Sequence, residues 1–136
     1  MHITETTLQV QYYETDQMGV AHHSNYIRYY ETARTDFIKS LGLSYRQLEE
    51  SGTAMPIINV NCRYIQPATY DETLTIKTIL KELPTSRITF YYEVYNQAGK
   101  LINEGHTVLA FINQEAQRPS RVPEILMERL RPLFSK

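Results

Sequence analysis

Residues 12–42 read YYETDQMGVAHHSNYIRYYETARTDFIKSLG: a strand-like start, a short polar loop, then a long amphipathic run. From about Ser24 the apolar positions Tyr26, Ile27, Tyr30, Ala33, Phe37, Ile38 and Leu41 recur at helical spacing, a stripe suited to burial. Ser24 or Asn25 can cap the start and Gly42 can stop the end. At about 1.5 Å per residue this helix is roughly 26 Å long, and the sequence predicts no other of that length. Upstream, residues 3–13 alternate, with Thr7, Gln9 and Gln11 set against Leu8, Val10 and Tyr12, as in a strand with one buried face. Residues 14–23 are then a loop. Downstream, a helical turn over Tyr45–Glu50 is closed by Gly52. Four strand-like stretches follow, Pro56–Ile65, Thr73–Leu83, Arg87–Tyr95 and Lys100–Ile112, with Pro67, Asp71 and Pro84 at their junctions. Asn96–Gly99 reads as a hairpin turn, and Glu124–Leu133 as a modest helix that Pro132 brings to an end.

One helix followed by a run of long strands is an α+β pattern, an antiparallel sheet wrapped on the helix. All 136 residues are read as one domain, enough for a real core and too few for two. A sheet covered on one face leaves the other face or an edge bare, so a homo-oligomer is expected.

Bulk properties narrow the function. A net charge of −1 gives no case for nucleic-acid binding, and any anionic ligand must meet a local basic cluster. The single cysteine, Cys62, excludes an internal disulfide and fits a reducing cytoplasm. No stretch approaches the roughly 18 apolar residues of a membrane span, and MHITETTLQV lacks the pattern of a signal peptide. Tyrosine is the unusual count, 11 against 4 Phe and no Trp, which suits a semi-exposed sheet face or a protein interface.

Chemistry concentrates where the loop meets the helix. Asp16 is a natural turn residue, yet it stands beside a helix start that carries unpaired N–H groups and partial positive charge. Those donors can hold an oxyanion forming on a carbonyl, while the carboxylate attacks that carbonyl or activates a water. His22 and His23 are adjacent and are expected to point different ways. Glu14, Asp16, His22 and His23 crowd together without any metal-binding spacing, so no metal is expected. Glu31 and Arg34 share a helix face and can pair. Cys62 reads as a packed thiol. No nucleophile elbow, phosphate loop or dinucleotide fingerprint is present.

Asp16-x-x-Gly19-Val20-x-x-His23-x-x-Tyr26, followed by Tyr30-Glu31-x-Ala33-Arg34, resembles the signature of hotdog-fold acyl-CoA thioesterases of the 4-hydroxybenzoyl-CoA thioesterase family. The closer match is to their bacterial branch acting on fatty and short-chain acyl-CoA. Tyr64-x-x-Pro67-Ala68-x-Tyr70-Asp71-x-x-Leu74 also looks like that group, and the likeness runs from about residue 5 to 113. The resemblance implies a sheet wrapped on one helix, subunits paired edge to edge, and a dimer or dimer of dimers. It implies that Asp16 is the catalytic carboxylate and that an N–H near His23 polarises the thioester carbonyl. The loop geometry around Gly19 then matters as much as the acid. His23 itself is implied to orient the carboxylate, water or thiolate.

His22 departs from the pattern, which more often has an aromatic there, and inherits no role. The basic cluster that the aryl-specific branch uses for CoA phosphates is thin here. Arg87 is the first candidate for those phosphates, ahead of Ser86, Arg63 and Lys81. Tyr26, Tyr30 and Met55 are expected to line an acyl slot along the helix, walled in part by a partner subunit. The expected reaction is hydrolysis of an acyl-CoA to a free acid and CoA, with no cofactor. A dehydratase or hydratase of acyl thioesters on the same fold, and a non-catalytic acyl-CoA or acyl-carrier-protein binding module, are the alternatives.

Overall fold

The stripe from Tyr26 onward does form a helix, and a sheet closes around it. The computed structural model describes residues 1–134. Strand β1 (His2–Gln9) leads through a 3₁₀ turn at Tyr12–Glu14 to helix α1 (Asn25–Ser40) and the short α2 (Tyr45–Glu50). Strands β2 (Thr53–Ala54), β3 (Ile57–Tyr64), β4 (Thr73–Leu80), β5 (Arg87–Tyr95) and β6 (Leu101–Ala110) follow. The chain ends in β7 (Ile112–Asn113), β8 (Arg118–Pro119) and α3 (Glu124–Phe134). The main sheet is antiparallel throughout, in the order β1-β4-β5-β6-β3. It wraps α1, which is the hotdog arrangement.

The core lies between α1 and the inner sheet face. Alternation along β5 puts Ile88, Phe90, Tyr92 and Val94 inside. Phe37 of α1 meets Phe90 edge-on at 5.2 Å. Each such fully buried side chain contributes about 1.5–3 kcal/mol. No helix among the described residues is long and apolar enough to cross a membrane.

Part of this core is polar. Tyr30 of α1 stacks on Tyr92 at 4.2 Å and donates its hydroxyl to Asn103 Oδ1. Asn103 Nδ2 in turn donates to Cys62 Sγ at 3.2 Å. Arg34, only 4 % exposed, donates through Nε to Tyr45 at 2.9 Å and through Nη1 to Tyr92 at 3.1 Å. Gly105 has no side chain because there is no room for one: a Cβ there would fall 2.7 Å from the Tyr30 hydroxyl and 2.2 Å from the Asn61 carbonyl oxygen.

Several expectations need correction. The first strand stops at Gln9, and Tyr12, expected on its buried face, is 76 % exposed in the 3₁₀ turn. Ile27 is 44 % exposed, while Tyr29 and Arg34 take places in the buried stripe. Arg34 binds tyrosines instead of Glu31, because the turn it occupies faces the sheet. Residues 81–83 leave β4. The last predicted strand breaks after Ala110, where β7 turns away to join β2 and β8 in a separate three-stranded sheet. Pro132 sits inside α3 without stopping it, since in the last turn a missing N–H costs a single bond.

Candidate active site

The loop entering α1 is held by backbone bonds that leave a few polar groups unspent. Asp16 N–H donates to Val20 O at 2.9 Å and Gly19 N–H to Asp16 O at 3.0 Å, closing a tight turn. Gly19 completes it at φ 75°, a left-handed conformation that L side chains adopt only with strain. The Asp16 carboxylate accepts from Met18 N–H at 2.8 Å through Oδ1. Oδ2 has no partner among the described residues, so Asp16 is both the turn residue and a carboxylate with acceptor capacity to spare.

Glu14 and Asn25 anchor the loop, and sequence reasoning missed both roles. Glu14 accepts from Gln11 N–H at 2.8 Å and from the Tyr29 hydroxyl at 3.0 Å through Oε1. Its carbonyl accepts from His22 N–H and from Asn25 Nδ2, each at 2.8 Å. Asn25 is 5 % exposed and also donates to His22 O at 3.2 Å. It ties loop to loop and does not cap the helix, and Ser24, the N-cap residue, makes no side-chain capping bond either. An Asn just inside the start of an amphipathic run was the available signal.

The two histidines were expected to diverge but lie together, rings 4.0 Å apart. His22 Nδ1 accepts from Ser24 N–H at 3.3 Å and pairs with Ser24 Oγ at 2.9 Å. The carbonyl of His23 accepts from Tyr26 N–H at 3.3 Å. The N–H of His23 has no hydrogen-bond partner among the described residues, which makes it a free donor at the positive end of α1.

Asp16, His22, His23, Tyr26, Tyr64 and Pro67 line one cleft of about 320 Å³, with Ala21, Ile65 and Gln66. Burial pushes the Tyr26 phenol up to about 12, with Cys62 and Glu72 adding to it, so this wall stays neutral. Asp16 also borders a second cavity of about 750 Å³, with Tyr12, Tyr13, Gly19 and Tyr70. Among the described residues no group of three or more His, Cys, Asp and Glu could hold a metal ion.

Comparison with known proteins shows the family. Residues 10–130 match the thioesterase-like superfamily. The chain belongs to that family. Over 119 residues, 88 % of this chain and 86 % of the relative, it is 33 % identical to the "Putative acyl-CoA thioesterase YneP" of Bacillus subtilis (strain 168). It is 25 % identical over 120 residues to the acyl-CoA thioester hydrolase YbgC of Escherichia coli O157:H7, covering 88 % of this chain and 90 % of that one. The solved structure of DHNA-CoA thioesterase from Staphylococcus aureus superposes with a TM-score of 0.90 at 32 % identity, over 98 % of this chain and 91 % of that one.

Not every expected site residue of this thioesterase meets Asp16. Tyr30 is fully buried in the polar core, its hydroxyl committed to Asn103, and is not among the residues lining the Asp16 cleft. Arg63 pairs with Glu104 at 3.0 Å across neighbouring strands. Met55 is half-buried against the core just before β3. Lys81, Ser86 and Arg87 share a separate cavity of about 420 Å³. That cavity lies beyond the end of β4 and at the start of β5, whereas Asp16 lies near the start of β4. An eight-residue strand, roughly 27 Å, separates them.

Proposed function

We propose that this thioesterase hydrolyses acyl-CoA thioesters to the free acid and CoA, with Asp16 as nucleophile or general base. The His23 N–H, at the helix start, receives the oxyanion. The observation that carries the reading is a conjunction in one cleft: a carboxylate oxygen and a helix-start N–H, both unspent, beside two imidazoles. Negative charge developing on the thioester oxygen meets a fixed donor, while Asp16 attacks the carbonyl carbon or takes a proton from the attacking water. Direct attack gives a mixed anhydride and releases the CoA thiolate; water then cleaves the anhydride. Both routes yield the same products and need no cofactor. The similar proteins named as acyl-CoA and DHNA-CoA thioesterases support this substrate class.

The same reading calls for a second copy of the chain. Strand β3 is paired on one side only, to β6, and exposes Ile57, Ile58 and Val60, with Ile65 just beyond it. An apolar edge of that kind is a template for another strand. Ile57 lies at the Arg87 end of the sheet and Tyr64 at the Asp16 end, since Ile57 pairs with Leu109 and Tyr64 with Asn103, while Arg87 pairs with Ala110. Two β3 edges meeting antiparallel about a two-fold axis bring the partner's Arg87 end toward the Asp16 cleft. Ser86, Arg87 and Lys81 then reach CoA phosphates, and Met55 the acyl group, from across the interface. The half-buried Cys62 thiol suits a reducing compartment, and we infer a cytoplasmic setting.

The test is thiol release from acetyl- through palmitoyl-CoA and from benzoyl-CoA, by wild type and Asp16→Asn in parallel. Release that collapses in the variant supports the reading. An enoyl thioester product without thiol, or binding without turnover, would replace it with the dehydratase or the binding module. Sedimentation showing a 15.9 kDa monomer would remove the paired edge.

A further inference from the structure

The edge strand β3 reaches the catalytic loop through one side-chain hydrogen bond among the described residues. The Tyr64 hydroxyl donates to the carbonyl of His23 at 3.2 Å. Among the described residues that carbonyl is held otherwise only by Tyr26 N–H at 3.3 Å, a long contact at the helix start. The phenol is therefore a second hold on the residue whose own N–H is free. Its ring stands edge-on to His23 at 6.1 Å and to Tyr26 at 5.4 Å, so the side chain is packed on both sides although Tyr64 is 51 % exposed. Its backbone is fixed in the sheet opposite Asn103. Burial first, then the neighbouring Cys62 thiol, pushes this phenol up to about 12, and it is a donor at any working pH.

We propose that Tyr64 is a positioning residue: by gripping the His23 carbonyl it sets the helix-start backbone that receives the oxyanion, and so ties the site to the edge strand. The inference rests on the oxyanion role of the His23 N–H given above. It gives the edge strand a part in turnover, because whatever seats β3 also seats the loop. The hydroxyl acts through His23 and does not touch the reacting atoms. Its contribution therefore belongs to the transition state, where the oxyanion is fully formed, more than to substrate binding.

The experiment is Tyr64→Phe, which keeps the ring and both edge-on contacts and removes only the hydroxyl. Against whichever of acetyl-, hexanoyl-, palmitoyl- or benzoyl-CoA wild type cleaves fastest, kcat is expected to fall about tenfold, the net worth of one hydrogen bond. KM is expected to stay within about twofold. An unchanged kcat, or a KM that rises by the same factor, overturns the proposal. Tyr64→Leu separates ring from hydroxyl: if Leu loses activity while Phe keeps it, packing is the role and the proposal fails.

A second readout needs no turnover. The His23 backbone amide resonance of the free protein is expected to move in Tyr64→Phe, and one that stays put also overturns the proposal. Wild type and Asp16→Asn run alongside. Absence of thiol release from wild type would fail the functional reading, while the amide shift would still decide the role of Tyr64.

Discussion

Two polar clusters flank the first half of α1, and they use their hydrogen bonds in opposite ways. Under the sheet, Tyr30, Arg34, Asn103 and Tyr92 bind one another, Cys62, Tyr45 and Thr107. At the helix start, Asp16 keeps one carboxylate oxygen and His23 keeps its N–H. Residue type does not separate the clusters; satisfaction does. A buried polar group must be paired or it costs stability, so the inner cluster is spent on the fold. The loop groups face a cleft, where solvent meets their needs until a substrate does, so they remain available for chemistry.

If that division is right, substitutions in the two clusters fail by different measures. The largest effect belongs to Asp16→Asn, which keeps the shape and removes the charge. Its kcat for thiol release should fall roughly 10²–10⁴-fold, the range for a lost acid–base group, while the melting midpoint hardly moves. Arg34→Ala inverts this pattern. It leaves the Tyr45 and Tyr92 hydroxyls without their donor and opens a hole, so denaturant unfolding should show a loss of about 3 kcal/mol. Turnover per folded molecule should survive. A variant of the inner cluster that abolished kcat at full stability would break the comparison.

Gly19→Ala sits between the clusters in kind. A Cβ there meets nothing within 4 Å, so the penalty is conformational only, about 1–2 kcal/mol for forcing an L residue into this region. If the turn relaxes to avoid the strain, kcat drops along with stability. The smallest effect at neutral pH comes from the buried phenols. Burial is the leading cause that raises Tyr26, to about 12, and also raises Tyr29, Tyr30, Tyr45 and Tyr92 from an ordinary 10.0. Between pH 10 and 12 the unfolded chain therefore binds fewer protons than the folded one, and stability falls as pH rises. Below pH 10 these groups give no slope. Tyrosinate absorbance should climb cooperatively with unfolding instead of following a simple titration.

The helix and the five strands of the main sheet were legible because each rests on local pattern, while the small second sheet was not. Periodicity marked α1, β4, β5 and β6, and Asp16, His23 and Tyr26 stood close enough in sequence to share a cleft once the helix formed. What escaped reading depended on distant partners. Tyr30 sits on the predicted stripe, but only Asn103, 73 positions away, decides that its hydroxyl turns into the core. Arg34 looked like a surface ion-pair partner until Tyr45 and Tyr92 were seen around it. Glu14 works through its carbonyl as much as its side chain, which no residue type announces. Arg87 and Asp16 stand at opposite ends of β4, and which end of a strand a loop meets is not written in periodicity.

One small contact joins an early helix to a late one. Arg129 of α3 donates from Nη1 to the carbonyl of Leu41 at 2.8 Å, spanning 88 positions, and its guanidinium lies against Gly42. The C-cap carbonyl of α1 is thus satisfied by a cation that a ribosome adds after every strand of the main sheet has been made. A nascent chain can assemble the sheet around the helix yet must wait for α3 to close the helix's far end. In synthesis, then, the central helix is begun before most of the main sheet and completed after all of it.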